Sequence, residues 1–237
     1  MAWWLLDDWM FALLSATASM NARSAGRRVG PTATGRGNAM AMERWRSVRA
    51  TPDERAHALP GDELIKEPIG SLDHAITIRR ARQEVWPWLA QMGAGSRAGW
   101  YSYDFLDNGR RPSVERIIPE LQKLAVGMIF PALPGATDGF TVLAFEPQHF
   151  LVLGWTTPDG ARLMTWAYVL EDGEQGSTRL VVRARAGPGY RFQGLPWWAT
   201  KRIVAAIHFV MQRKQLLGIA RRVERGATIE MCGAEQP

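Results

Sequence analysis

The side chains able to do chemistry are few and widely spaced. Glu120 follows Pro119 in a stretch, Arg116 to Phe130, that mixes Pro, Gly and apolar residues. An irregular crossing of that kind can present a carboxylate as a proton acceptor or as an anchor for a ligand. Tyr101 and Tyr103 lie just beyond a joint of three glycines, Gly93, Gly95 and Gly99, with Arg97 inside it. Arg97 is positioned either to pin an acidic headgroup or, as the plainer expectation, to bond a loop carbonyl. His57, His74, His149 and His208 are far apart, there is no HExxH, and Cys232 is the lone cysteine, so no metal-ligand set and no disulfide framework can be read from the spacing. No Ser sits in a GxSxG elbow, and GAGSRAG (Gly93 to Gly99) follows a helical pattern where a phosphate-binding loop would follow a strand.

Charge points away from nucleic acid. The formal net charge is +6, but residues 1–50 hold seven Arg against Asp7, Asp8 and Glu43, which leaves 22 basic and 20 acidic groups for the remaining chain. That excess is too diffuse to be an electrostatic footprint. The leader, residues 1–49, carries an apolar stretch from Trp3 to Leu14 interrupted by Asp7 and Asp8; it has neither the basic start of a signal peptide nor the ~20 apolar residues of a membrane span. From Asn21 to Ala39 it is rich in Gly, Ala, Thr, Ser and Arg, too polar to order itself. Met40 and Met42, just before the first well-patterned residues, are expected alternative starts of translation. The expectation is a cytoplasmic protein with one domain over 50–226 and a polar tail over 227–237.

Periodicity supplies the elements that must position these groups. His74 to Ile78 alternates as a strand, Gln83 to Met92 changes to helical spacing, and Ser102 is placed to cap a short helix over Tyr103 to Asp107. Phe140 to Phe145 with Phe150 to Trp155, and Leu163 to Leu170 with Thr178 to Ala186, read as two antiparallel hairpins. On the last strand Arg179, Arg183 and Arg185 alternate with Leu180, Val182 and Ala184, which predicts a solvated arginine face. Trp197 to Arg225 reads as one long helix with Ile203, Val204, Ile207, Val210, Met211 and Leu217 on its apolar stripe; His208 beside them reads as a satisfied boundary residue. Glu43 to Leu64 is a polar, helical approach.

Together these segments resemble the SRPBCC superfamily, the START-like, pollen-allergen-like and polyketide-cyclase-like domains, and in particular its bacterial members of unassigned function. The resemblance is carried by PGDEL (Pro60 to Leu64), AITIRRARQEVWPWLAQMG (Ala75 to Gly93), RAGWYSYDFLDN (Arg97 to Asn108), IIPELQKLAVG (Ile117 to Gly127), STRLVVRAR (Ser177 to Arg185) and LLGIARRVE (Leu216 to Glu224). It implies an α+β helix-grip fold: a curved antiparallel sheet wrapped around a long C-terminal helix, with two short helices after the first strand. It also implies a cavity between sheet and helix, with Trp100, Tyr101, Tyr103, Glu120, Trp166, Ile207 and Met211 as candidate ligand-binding residues. The leading expectation is binding of a hydrophobic small molecule or lipid, with no cofactor, no metal and no nucleic acid. The second is a cyclase or dehydratase acting on a polyketide or similar enolisable substrate, with Glu120 and Tyr101 or Tyr103 transferring protons. The third is a purely structural or partner-binding module, with a membrane surface as one partner, met through Trp197, Trp198, Lys201 and Arg202.

Overall fold

Alternation builds the sheet. In strand β1 (Gly70–Ile78), Ile76 and Ile78 enter the main core while Ala75 joins a smaller cluster on the opposite face. A computed structural model describes residues 47–157, 160–188, 190 and 197–233, with side chains in the last stretch over 202–226. The chain divides into two units, Met1–Ser47 and Val48–Pro237, and the sheet and helices belong to the second. Trp197, Trp198 and Lys201, expected at a membrane surface, fall outside the described side chains.

After β1 come helix α2 (Arg82–Ala90), with Pro87 inside it, and the four-residue α3 (Asp104–Asp107). The strands that follow are β2 (Ile129–Pro131), β3 (Gly139–Glu146), β4 (Phe150–Thr156), β5 (Arg162–Asp172) and β6 (Thr178–Ala186). They form one antiparallel sheet in the order β1-β6-β5-β4-β3-β2. Register shifts at Val142/Ala144 and Trp155/Thr156 bend it, as bulges do. Helix α4 (Trp197–Gly233) runs 37 residues, about 55 Å at the usual rise, and packs against β1 and α2.

Two local expectations change. Ser102 does not cap α3, whose N-cap is Tyr103 without a side-chain bond; the Ser102 hydroxyl donates instead to the Met211 carbonyl on α4. The Glu43 to Leu64 approach holds, in its described part, a five-residue helix α1 (Pro52–Ala56) and a 3₁₀ turn at Asp62–Leu64. Thr51 and Glu54 close a reciprocal capping box on α1.

The glycine joint is a backbone device. Gly93 and Gly99 pair with each other at φ of 123° and 88°, conformations that strain any residue with a Cβ. Tyr101 also has positive φ, 59°, and is held there by a bond from its N–H to the Ser113 hydroxyl. Helix α4 then crosses this loop at Gly218, where a Cβ would collide with the Tyr101 carbonyl. Gly218→Ala is therefore expected to destabilise by about 1–3 kcal/mol in chemical denaturation, because overpacking outweighs the gain in helix propensity.

Candidate functional site

The face of the sheet toward α4 changes character along its length. One cross-strand row holds Ile76, Leu180 and Leu170; the next holds His74, Val182, Tyr168 and Leu151; the next Leu72, Ala184, Trp166 and Leu153; the last Gly70, Ala186, Met164 and Trp155. Bulky aliphatic residues thus give way on β1 and β6 to Gly70, Ala184 and Ala186, with aromatic residues on β4 and β5. Helix α4 follows the same gradient. Its C-terminal half buries Leu216, Ile219, Ala220 and Val223 in the core, whereas Ile203, Val204, Ile207 and Met211 are half-buried. Val210, expected on the buried stripe, is exposed, as is Phe209.

The helix turns this way because two polar residues pack inward. The Trp166 indole N–H donates to Gln212 Oε1 (3.0 Å), Gln212 Nε2 donates to Gln215 Oε1 (2.8 Å), and the Tyr168 hydroxyl donates to that same oxygen (3.0 Å). Gln212 and Gln215 are both buried. Neither stood out as a functional residue by type; the signal was their spacing, since 208, 212, 215 and 219 share one helical stripe.

Around this network lies an aromatic cluster. Trp100 stacks on Trp166 at 5.9 Å, and Phe140 sets its edge against Trp100, Trp155 and Trp166. The structure therefore brings Trp100 and Trp166 together, with Ile207 and Met211 on the less buried half of α4. Tyr103 is half-buried at the start of α3, its ring against Phe105 and 5.9 Å from Lys214 Nζ; burial pushes its pKa up.

The other candidates stand elsewhere. Tyr101 is a core residue: its hydroxyl donates to the Trp88 carbonyl and accepts from Gln91 Nε2, and Arg222 lies over its ring. Burial pushes its pKa well above the ordinary tyrosine value, so it is a poor proton donor. Glu120 is exposed in a 3₁₀ turn, Pro119–Leu121. A solvated carboxylate and a committed phenol do not form an acid–base pair, and the cyclase-like arrangement on these two residues is corrected on that ground. Arg97 bonds the carbonyls of Met92 and Ala90, both at 2.5 Å, and lies over Phe130; burial lowers its pKa to about 10.

The largest correction is on the opposite face. Arg183 is buried rather than solvated, and all five of its N–H donors are occupied: Nε by Asp73, Nη1 by Asp62 and the His57 carbonyl, Nη2 by the carbonyls of Glu54 and Arg55. The segment carrying α1 covers what would have been an open arginine face. A cavity of about 310 Å³ lies there too, lined by Asp53, Glu54, His57, Leu59, Glu171 and Val181.

Finally, two histidines remote in sequence meet at the α4 interface. The rings of His74 and His208 are 5.4 Å apart, and each also lies within 6 Å of an aromatic neighbour, Phe209 for His74 and Trp166 for His208. Nδ1 of His74 and both ring nitrogens of His208 are buried without a hydrogen-bond partner among the described residues. Burial lowers the pKa of His74 to about 4 and of His208 to about 3, so both rings are neutral at pH 7. His208 is thus a half-buried boundary residue, as its position suggested, but its two covered ring nitrogens are unsatisfied among the described residues.

A curved antiparallel sheet, two short helices after its first strand and one long C-terminal helix against its inner face decide the architecture. This is a helix-grip fold. No protein-family model matches the chain, and no curated protein matches it. Among solved structures it is similar to a protein from Mesorhizobium loti, at 17% identity over 66% of this chain and 98% of that one, with a TM-score of 0.41. A self-sacrificing resistance protein from Micromonospora echinospora is similar at 12% identity over 66% of this chain and 95% of that one, TM-score 0.36. A Polyketide_cyc-like protein from Corynebacterium glutamicum is similar at 17% identity over 70% and 96%, TM-score 0.33. Among the described residues of the helix-grip chain, no helix is long and apolar enough to cross a membrane, and no group of three or more His, Cys, Asp or Glu could hold a metal ion.

Proposed function

We propose that this helix-grip domain binds a hydrophobic small molecule or lipid between the aromatic end of the sheet and the N-terminal half of α4. One observation carries the reading: burial of apolar side chains falls off on the sheet and on α4 toward the same end. Leu216, Ile219 and Val223 are buried in the main core, whereas Ile207 and Met211 on the N-terminal half of α4, like Trp155, Met164 and Trp166 on the sheet, stay half-buried. A folded chain that merely needed a core would gain about 25 cal/mol for each Å² of apolar surface it closed there. A site for an apolar ligand keeps that surface available, with a few polar groups to orient what enters.

Native mass spectrometry of the full chain purified from its host tests this. Expected is a co-purifying apolar adduct that leaves on organic extraction, with a rise in the fluorescence of a solvent-exposure dye once the adduct has gone. Ala184→Trp, directly across the strands from Trp166, is expected to abolish the adduct while the fold persists. A chain free of adduct that takes up no dye after extraction would overturn the reading.

A further inference from the structure

We infer that His74 and His208 form the polar anchor of this site and hold the carboxylic acid head of an amphipathic ligand. The inference rests on the proposed binding of an apolar molecule and adds its chemical class. Folded proteins pair more than about 90% of their buried polar groups, and each one left unpaired is costly. Here three ring nitrogens on two touching imidazoles lack partners among the described residues. His74 is 5% exposed, on the strand that lies under α4, so its Nδ1 is not satisfied by bulk water.

The surroundings define what is missing. Trp166 and Phe209 offer the rings only aromatic surfaces. The amide oxygens of α4 serve other donors: Gln212 Oε1 accepts from Trp166, and Gln215 Oε1 accepts from both Tyr168 and Gln212. Charged groups on the packed elements are turned elsewhere. Asp73 of β1 and Arg183 of β6 bind each other on the outer face, and Arg185 binds Asp62 there. Arg202 of α4 is exposed, and Arg162 at the start of β5 has a buried Nη1 that also lacks a partner among the described residues. The site is rich in nitrogen and short of oxygen.

A neutral imidazole has one N–H that seeks an acceptor and one lone pair that seeks a proton. A carboxylic acid supplies both in one planar group, its O–H to one ring and its second oxygen to an N–H of the other. At neutral pH a free carboxylate must therefore bring one proton from solvent, which ends between carboxyl and imidazole. No covalent bond changes.

Isothermal titration of the full chain with dodecanoate and with dodecanol, in buffers of differing ionisation enthalpy, reads this directly. Expected is uptake of about one proton per dodecanoate bound, and about a tenfold loss of dodecanoate affinity from pH 7 to pH 8, the slope that one linked proton sets. His208→Phe and, as a second variant in case the first does not fold, His74→Phe are expected to abolish proton uptake, remove the pH dependence of dodecanoate binding and lower dodecanoate affinity about tenfold, while dodecanol binds wild type without proton uptake at either pH. Tight dodecanoate binding without proton uptake, equal in wild type and variants, would overturn the anchor and leave apolar binding intact. Failure of both probes to bind would overturn the apolar reading, and the anchor with it.

Discussion

Replacing Arg183 by Met is expected to lower the stability of the domain by about 3–5 kcal/mol, measured as a shift in denaturation midpoint at unchanged slope. The magnitude follows from what the change strands. Asp73 binds Nε at 2.5 Å and Asp62 binds Nη1 at 2.7 Å, with side-chain exposures of only 10% and 17%. Met keeps the length and apolar stem of arginine but leaves Asp73 without its cation, and removing one partner of a buried pair costs far more than the intact pair contributes. Adding Asp73→Asn to Arg183→Met is accordingly expected to recover part of the loss, since it deletes the orphaned charge. Three further N–H groups hold the carbonyls of Glu54, Arg55 and His57, so the variant should also expose the α1 segment to limited proteolysis. The pH response has a definite sign. Burial raises the pKa of Asp62, but bonds from the Leu59 N–H, Arg185 and Arg183 outweigh it and hold the net value below 3.8. A depressed carboxyl pKa stabilises above the unfolded value and loses that contribution as pH falls through the folded value. Losing Arg183 shrinks the depression, so acid unfolding should begin at higher pH. An Arg183→Met domain as stable as wild type would mean that the α1 segment is not latched through this guanidinium.

The arginine face shows where sequence patterning stops. Alternation correctly separated Arg179, Arg183 and Arg185 from Leu180, Val182 and Ala184, because side-chain direction in a strand is local. Whether the polar side meets water depends on another segment, and nothing between Thr51 and Leu64 announces that its carbonyls and Asp62 will fold over β6. The hairpins and the long helix were legible for the same local reason. The helix stripe was drawn through its most apolar residues, but Trp166 and Tyr168 need hydrogen-bond partners, and Gln212 and Gln215 face inward to supply them. His74 and His208 lie on different elements, so their juxtaposition depends on how α4 crosses β1, which no periodicity encodes. Trp100 and Trp166, which stack on each other, could be paired from the sequence only because the helix-grip resemblance supplied the crossing.

Asp107 is a second residue whose type gave no warning. It ends α3 with 1% exposure, and neither carboxylate oxygen has a well-formed hydrogen bond among the described residues. Ser102, its neighbour across the turn, gives its hydroxyl to Met211 instead. Burial, reinforced by the nearby Asp104, raises the Asp107 pKa from 3.8 to about 7. A carboxyl held protonated in the native state stabilises below its unfolded pKa, and that contribution is lost as pH rises through the folded value. Over the window from about pH 4 to pH 7 the native carboxyl therefore works against stability as pH rises, by up to ~1.4 kcal/mol per pH unit. Asp107→Asn is expected to raise stability at pH 8 by ~2–3 kcal/mol: a ceiling of ~4 from the pKa shift, less ~1–2 for the amide's own unpaired N–H groups. At pH 4, where the pKa shift no longer contributes, the variant should instead be less stable than wild type by ~1–2 kcal/mol.

The curve should also change shape, because His74 and His208 act with the opposite sign. Their pKa values fall from 6.5 to about 4 and about 3, so their stability contribution is lost as pH drops below 6.5. In wild type Asp107 offsets part of that loss between pH 4 and 6.5. In Asp107→Asn the offset is gone, and stability should climb more steeply with pH across this window, as thermal melts at half-unit steps would show. Parallel curves for wild type and variant would mean that Asp107 is ionised and partnered in the native state, and that α3 packs on α4 without a buried acid.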